Sequence, residues 1–351
     1  MKYLGIILSA IGLMIIINSC SKSWTDYSAL QVQNLNQDSN TALNNKTYQT
    51  YLANLRSYKS SKHSIVMGWI EWGDKTSTAN STLNDLPDSL DFISILNPSN
   101  TLSDEKKQDL SSVQKNKGTK VLYNLNLQNW DDSLYSTFNK IGYLLNVDSA
   151  FQSQLDSVIL AINSLGYDGV DVNVEGMNCS SCGSFFYTYQ TGYYNRILDT
   201  LGKLYGPHSN TEKFLLVEGA TTASLLSGTE SYFNYYIANT NDYSWYYQVD
   251  NAYATIAQIP GFTNDKLIIT TDFNDKSVSA DISDKLWQYG GIPFYTNGSG
   301  TPIPSSTALL NWNPTSGLKG GMGIFYINYD YFNNDFTITK NIIKTLNPSG
   351  E

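Results

Sequence analysis

Tyr167-Asp168-Gly169-Val170-Asp171-Val172-Asn173-Val174-Glu175 alternates apolar and polar side chains with period two, the pattern of a β-strand. Residues two apart on a strand point the same way, so Asp171, Asn173 and Glu175 share one face, with Asp168 at its start. A solvent-washed strand has no need of acids and an amide stacked on a single side. Like charges that close destabilise one another unless some are protonated, hydrogen-bonded or replaced by neutral groups. Local rules are broken in this way where a site is, so the stretch is read as a strand that carries one.

The spacing resembles D-G-x-D-x-D-x-E, the barrel-strand signature of glycoside hydrolase family 18, with Asn173 in the place of the third Asp. The resemblance implies an α/β fold, a (β/α)8 TIM barrel with this strand as its fourth, and a catalytic set of Glu175, Asn173 and Asp171. Glu175 would protonate the departing glycosidic oxygen. The residue at 173 would hold the substrate's 2-acetamido group, whose carbonyl oxygen attacks the anomeric carbon, a substrate-assisted exception to the two-carboxylate scheme. Asp171 would lie beneath Asn173 and tune it. An Asn can orient the acetamide and accept its N–H, but it lacks the charge that stabilises an oxazolinium-like intermediate. Endo-acting N-acetylglucosaminidases of family 85 look similar here, with D-G-x-x-x-N-x-E and Asn as the assisting residue.

Elsewhere the likeness to family 18 is thinner. Tyr123-Asn124-Leu125-Asn126 does not match the family's Ser-x-Gly-Gly, and Asn241 stands where a Tyr holding the acetamido oxygen is expected. Gly320-Gly321-Met322-Gly323-Ile324-Phe325-Tyr326 is similar to the family's Gly-Gly-x-x-x-aromatic ending, whose aromatic floors the sugar at the cleavage subsite. The resemblance implies no metal and no organic cofactor.

Met1-Lys2, the apolar run from Leu4 to Ile17 and the closing Asn18-Ser19-Cys20 describe a secretory signal of lipoprotein type, with Cys20 as the lipidated residue. Residues 1–19 are thus set aside as signal peptide. Residues 20–45, rich in Ser, Asn, Gln and Thr, read as a flexible tether that lifts a barrel of residues 46–351 off a bacterial outer membrane. With Cys20 removed only Cys179 and Cys182 remain, a candidate disulfide or a pair of spare thiols rather than a metal site. His63 and His208 are read as surface residues. A net charge of −9 argues against a nucleic-acid partner, and 26 Tyr and 7 Trp in 351 residues suit sugar rings as well as an ordinary core.

From Ser64 onward short apolar strands alternate with longer segments: 64–70, 90–96, 120–125, 169–174, 214–217, 236–239, 267–271 and 322–327 are strands, and 46–58, 103–117, 150–165, 185–205 and 332–346 helices. The count fits the barrel, with an open doubly wound sheet as competitor. Barrel chemistry gathers at the C-terminal strand ends, where Asn124, Glu218 and Asn239 also fall, which makes Trp69, Trp72, Asn126, Asn241, Asp242, Asp272, Phe325 and Tyr326 candidate substrate-binding residues alongside Asp168. For the tryptophans sugar stacking and core filling stay equally open. Tyr243, Trp245 and Tyr246 are further sources of a hydroxyl or a stacking face. The expected function is hydrolysis of a β-1,4 bond in N-acetylglucosamine-containing glycans, such as the N-glycan chitobiose core. The alternative is a glycan-binding lipoprotein that has kept the barrel and lost turnover.

Overall fold

The computed structural model describes residues 46–348 except 74–81, 131–143, 176–190, 220–227, 275–289, 297–299 and 333–334. The signal segment, the tether, Cys20 and the Cys179/Cys182 pair lie outside the described residues.

The alternation in the sequence becomes a closed ring of eight parallel strands. β1 (Ile65–Glu71), β2 (Phe92–Leu96), β3 (Lys120–Asn126), β4 (Gly169–Asn173), β5 (Phe214–Glu218), β6 (Tyr235–Ala238) and β7 (Leu267–Asp272) pair in chain order. A short antiparallel pair, β8 (Pro293–Phe294) with β9 (Ile303–Pro304), precedes β10 (Gly321–Phe325). β10 pairs with β7 and returns to β1, setting Ile65 opposite Gly321, so the sheet is a barrel and not a doubly wound open sheet.

The helices are α1 (Lys46–Lys59), α2 (Asp104–Ser112), α3 (Leu144–Ser164), α4 (Thr191–Leu204), α5 (Tyr246–Ile256), α6 (Ser305–Asn311) and α7 (Thr337–Leu346). The helix expected over 103–117 divides. Ser103 caps α2 by accepting from Lys106 N–H, and the last turn, Val113–Lys117, widens to a π-helix closed by Gly118 at φ 71°.

On each strand, alternate residues face opposite layers. Val170, Val172 and Val174 point outward into the helix layer with Phe151, Leu155, Ile162 and Leu198. Met67, Trp69, Phe92, Leu122, Leu216, Ile237 and Ile268 fill the inside. The lower interior closes on aromatic edges, with Phe92 set at 83° to Phe214 and 68° to Tyr235. Above this plug the inward positions turn polar, and the two phases of β4 therefore serve different ends: valines anchor the strand and Asp171 with Asn173 enter the barrel.

His63, read as a surface residue, is corrected by the structure: its side chain is 5% exposed, and Nε2 lies 2.7 Å from Asp91 Oδ1 while Nδ1 lies 2.7 Å from the Ser61 carbonyl. Asp91 Oδ2 in turn accepts Val66 N–H, tying the start of β1 to β2. His208 is exposed. Burial lowers the His63 pKa, but the Asp91 carboxylate and the Ser61 carbonyl outweigh it, leaving the folded value above the ordinary 6.5. Folding therefore favours the protonated ring. Its contribution is complete below about pH 6.5 and is lost as pH rises through the folded value. His63→Gln is expected to lose about 1–3 kcal/mol in urea unfolding near about pH 5.5 and clearly less near about pH 8.5. Equal losses at both pH values would contradict the assignment.

Candidate active site

Seven strands deliver inward side chains to the upper barrel, and those from β1 to β6 form one hydrogen-bonded set. Asp171 is fully buried, and its Oδ2 accepts from Trp69 Nε1 (2.8 Å), Ser94 Oγ (2.8 Å) and Asn124 Nδ2 (3.0 Å). Donors of this kind replace the water that a buried carboxylate forgoes. Glu218 stands opposite Asn173 in the β4–β5 ladder and is also buried. Its Oε2 accepts at 3.2 Å from both Trp69 Nε1 and Asn124 Nδ2. Its Oε1 accepts from Asn173 Nδ2 and, at 3.3 Å, from Asn239 Nδ2.

Asp171 and Glu218 thus share the Trp69 and Asn124 donors and stand side by side. Two touching carboxyls away from water do not both ionise. Burial raises both pKa values, and the charges of Asp171 and Glu175 add to the effect on Glu218, which is pushed well above the usual carboxylate range. The two titrate as a pair, with Glu218 pushed the further up because the neighbouring charges of Asp171 and Glu175 add to its burial.

Glu175 follows β4 at the rim and is exposed. Its N–H donates to Asn173 Oδ1 at 2.9 Å, and its Oε2 accepts from Asn239 Nδ2. Loss of hydration at the mouth raises the Glu175 pKa, the Asn239 bond opposes that, and the charge of Asp242 raises it further. Tyr243, half-buried, has its own pKa raised by burial and by the charges of Asp242 and Glu175, which places it beside them. Gly219, at φ 78°, is what lets β5 pass: a Cβ there would stand 2.9 Å from Glu175 N. Asn239 Oδ1 is buried without a donor among the described residues, an acceptor left for something that enters from the mouth.

The structure brings Asp171, Asn173, Glu175 and Trp69 together. Trp69 is wholly buried and stacks on Phe325 with centroids 4.2 Å apart at 17°, so it is the floor of the site and Phe325 lies above it. Tyr326 follows with φ 51°, its pKa raised by burial and by the charges of Glu71 and Asp272. Asp272 ends β7, nearly buried, and accepts Asn274 N–H at 2.6 Å. Asn126 pairs in register with Asn173 and accepts Asn129 N–H.

Two expected binding residues are placed elsewhere. Asp168 sits at the opposite end of β4, about 20 Å of strand from Glu175, where it accepts from Val121 N–H and Gln114 Nε2. Trp72 turns outward, donating to Asp109 Oδ2 at 3.0 Å beneath the Lys106 ammonium. Asn241 accepts from Thr270 Oγ1 at 3.4 Å, an inward residue of β7 beside Trp69, while its neighbour Asp242 is exposed and acts on Glu175 by charge. Trp130 likewise packs outward, edge-on to Phe151. Asn124, Glu218 and Asn239, strand-end residues of the sequence's candidate pocket, join the site, and Ser94 is the member that the sequence reading did not name. Counting the inward phase along β2 would have found it. Among the described residues no group of three or more His, Cys, Asp or Glu is placed to hold a metal ion.

The model of "Glycoside hydrolase family 18, BT1044-like" matches residues 28–345. Endo-beta-N-acetylglucosaminidase F2 of Elizabethkingia meningoseptica is 24% identical over 321 residues, covering 85% of this chain and 86% of that protein. A glutamate-to-glutamine variant of BT1044 superposes with a TM-score of 0.62 at 21% identity, over 87% of this chain and 94% of that one. The endo-beta-N-acetylglucosaminidase of Cordyceps militaris, crystallised as a mutant with fucosyl-N-acetylglucosamine-Asn, gives 0.63 at 20% identity, over 85% and 96%. These structures share the fold, and the family match over nearly the whole chain goes further: the chain belongs to glycoside hydrolase family 18, in its BT1044-like branch.

Proposed function

We propose that this family 18 glycoside hydrolase is an endo-β-N-acetylglucosaminidase that cleaves the β-1,4 bond of the N-glycan chitobiose core, or a related N-acetylglucosamine linkage, with retention. The observation that carries the reading is the pairing at the end of β4. Glu175, its pKa raised, stands at the open rim, and Asn173 two residues before it turns its amide oxygen the same way. The names of the similar proteins, two of them endo-β-N-acetylglucosaminidases, support the substrate class.

In this reading Glu175 protonates the glycosidic oxygen as the C1–O bond breaks, and the acetamido carbonyl oxygen of the same sugar attacks C1 from the other face. Asn173 Oδ1 accepts the acetamide N–H and holds that group in line. Water then adds to C1 of the oxazolinium, giving its proton to Glu175 and regenerating the acetamide. Phe325, over Trp69, offers the sugar ring an apolar floor. By the same proposal the chain is exported, lipidated at Cys20 and anchored to a bacterial outer membrane. The amide at 173 favours a second reading, a glycan-binding protein without turnover, and one experiment separates the two.

Glu175→Gln is expected to cut oligosaccharide release from glycoproteins by about 10²–10⁴-fold while leaving glycan binding in place. Wild-type protein that binds glycans but releases none from high-mannose, complex or chitin substrates would leave the binding reading. A second expectation concerns pH. Cleavage needs protonated Glu175, so kcat/KM falls on the alkaline side as Glu175 ionises, above the ordinary range for Glu. Asp242→Asn removes a like charge and should move that limb roughly 0.5 unit toward acid. A limb that stays put or moves toward alkali would refute the role of Asp242.

A further inference from the structure

Position 173 carries an amide where the resemblance expects an acid, yet the site keeps the carboxyl. Glu218 faces Asn173 directly across the β4–β5 ladder, and its Oε1 accepts from Asn173 Nδ2. At the other end of the same amide, Oδ1 accepts Glu175 N–H at 2.9 Å. The two bonds allow one orientation: the NH2 end toward the wall, the oxygen toward the rim with a lone pair open. Turning the amide over would set donor against donor and acceptor against acceptor, losing both bonds. Glu218 is itself fixed, by Trp69 Nε1, Asn124 Nδ2 and its contact with Asp171.

We propose that Glu218 is a positioning residue: from the neighbouring strand it supplies the acid partner that position 173 lacks, and it fixes the Asn173 amide with its oxygen turned to the substrate's acetamido N–H. The inference rests on the endo-β-N-acetylglucosaminidase reading of the site. Glu218 touches no substrate and acts through Asn173. A protonated carboxyl suits this task. Such a group has an O–H to offer the neighbouring Asp171, while Oε1 receives the amides of Asn173 and Asn239. Asn239 also donates to Glu175, so a single neutral acceptor orients the partners of both reacting groups. A neutral group does this without placing a third negative charge beside Asp171 and Glu175.

Two substitutions separate positioning from packing. Glu218→Gln keeps an oxygen for Asn173 and an N–H for Asp171, whereas Glu218→Leu removes both at similar volume. With full-length protein and a high-mannose glycoprotein, Glu218→Leu should lower kcat by about 10–100-fold, and Glu218→Gln should recover it to within about 3-fold. In an Asn173→Ala background the Leu substitution should cost less than about 3-fold, because the link it breaks is already gone. An undiminished loss in that background, or a Gln variant as impaired as Leu, overturns the proposal. Binding of N,N′-diacetylchitobiose, measured by calorimetry in a Glu175→Gln background, gives a readout free of turnover. Leu should weaken it by about 10-fold and Gln restore it, and equal affinities overturn the proposal. Should the Leu variant fail to fold, the Gln variant decides: within about 3-fold of wild type in both assays supports the proposal, and a loss beyond about 10-fold overturns it. Wild-type protein that releases nothing while the binding series behaves as expected removes the hydrolase reading and keeps Glu218 as an orienting residue. Wild-type protein that neither binds nor cleaves removes both.

Discussion

Asp171 and Glu218 touch inside the barrel where neither is reached by water, and the arrangement of the upper site follows from that contact. Two full charges about 4 Å apart repel by about 4 kcal/mol even at an effective dielectric constant of about 20, on top of the loss of hydration. One shared proton removes the repulsion, and the donors of Trp69, Ser94 and Asn124 stabilise the charge that remains. Those donors come from β1, β2 and β3, so the carboxyl pair is supported only when the ring of strands is complete. Trp69 reaches it because Gly323 leaves room: a Cβ there would fall 2.5 Å from the indole ring.

The interior is graded along its axis. At the bottom, Phe92, Phe214 and Tyr235 meet edge to face and seal the barrel from below. Higher up the inward positions become Ser94, Asn124, Asp171, Glu218 and Asn239, and at the top Glu175 reaches solvent. The gradient gives two carboxyls, Glu218 and Glu175, different chemistry from different depth. Glu218, walled in on all sides, has its pKa pushed well above the usual carboxylate range and serves as an acceptor. Glu175, open above and partly dehydrated, retains a pKa that a substrate and its surroundings can still move.

Much of this was legible in the sequence. The period-two pattern of 167–175 gave β4 and its inward acids, and the other seven ladder strands fall within a residue or two of their apolar runs. Strand closure was not legible, because an apolar run reads alike in an open sheet and a barrel. The pocket was misread where strand ends were treated as if every residue there faced inward. Trp72 continues past β1 and turns to α2, whereas Asn239 holds the inward phase just past β6. Glu218 was legible as a strand-end acid, closing the apolar run Phe214-Leu215-Leu216-Val217-Glu218, but its partner was not. Its register against Asn173 reveals the pairing, and register between strands about 45 residues apart is a property of the closed barrel and not of either segment. His63 escaped for the same cause, since its partner Asp91 sits on the next strand.

Replacing an acid by an amide at position 173 also shifts where the control of Glu175 lies. A charge two residues away on the same face would raise the Glu175 pKa, and Asn173 supplies none. The charge that does so belongs to Asp242, past the end of β6, and it is opposed by the Asn239 amide from the same segment. One short stretch, 239–242, thus carries both the group that raises the acid and the group that lowers it. Tyr243, which feels Asp242 and Glu175 together, stands next in the chain. Loss of hydration at the mouth is the largest influence on the Glu175 proton, and the β6 segment adjusts it, so a change in that loop alters acid strength without touching the β4 motif. In this chain β4 sets where the acid stands, β5 sets how the amide beside it is turned, and β6 adjusts how readily the acid gives up its proton.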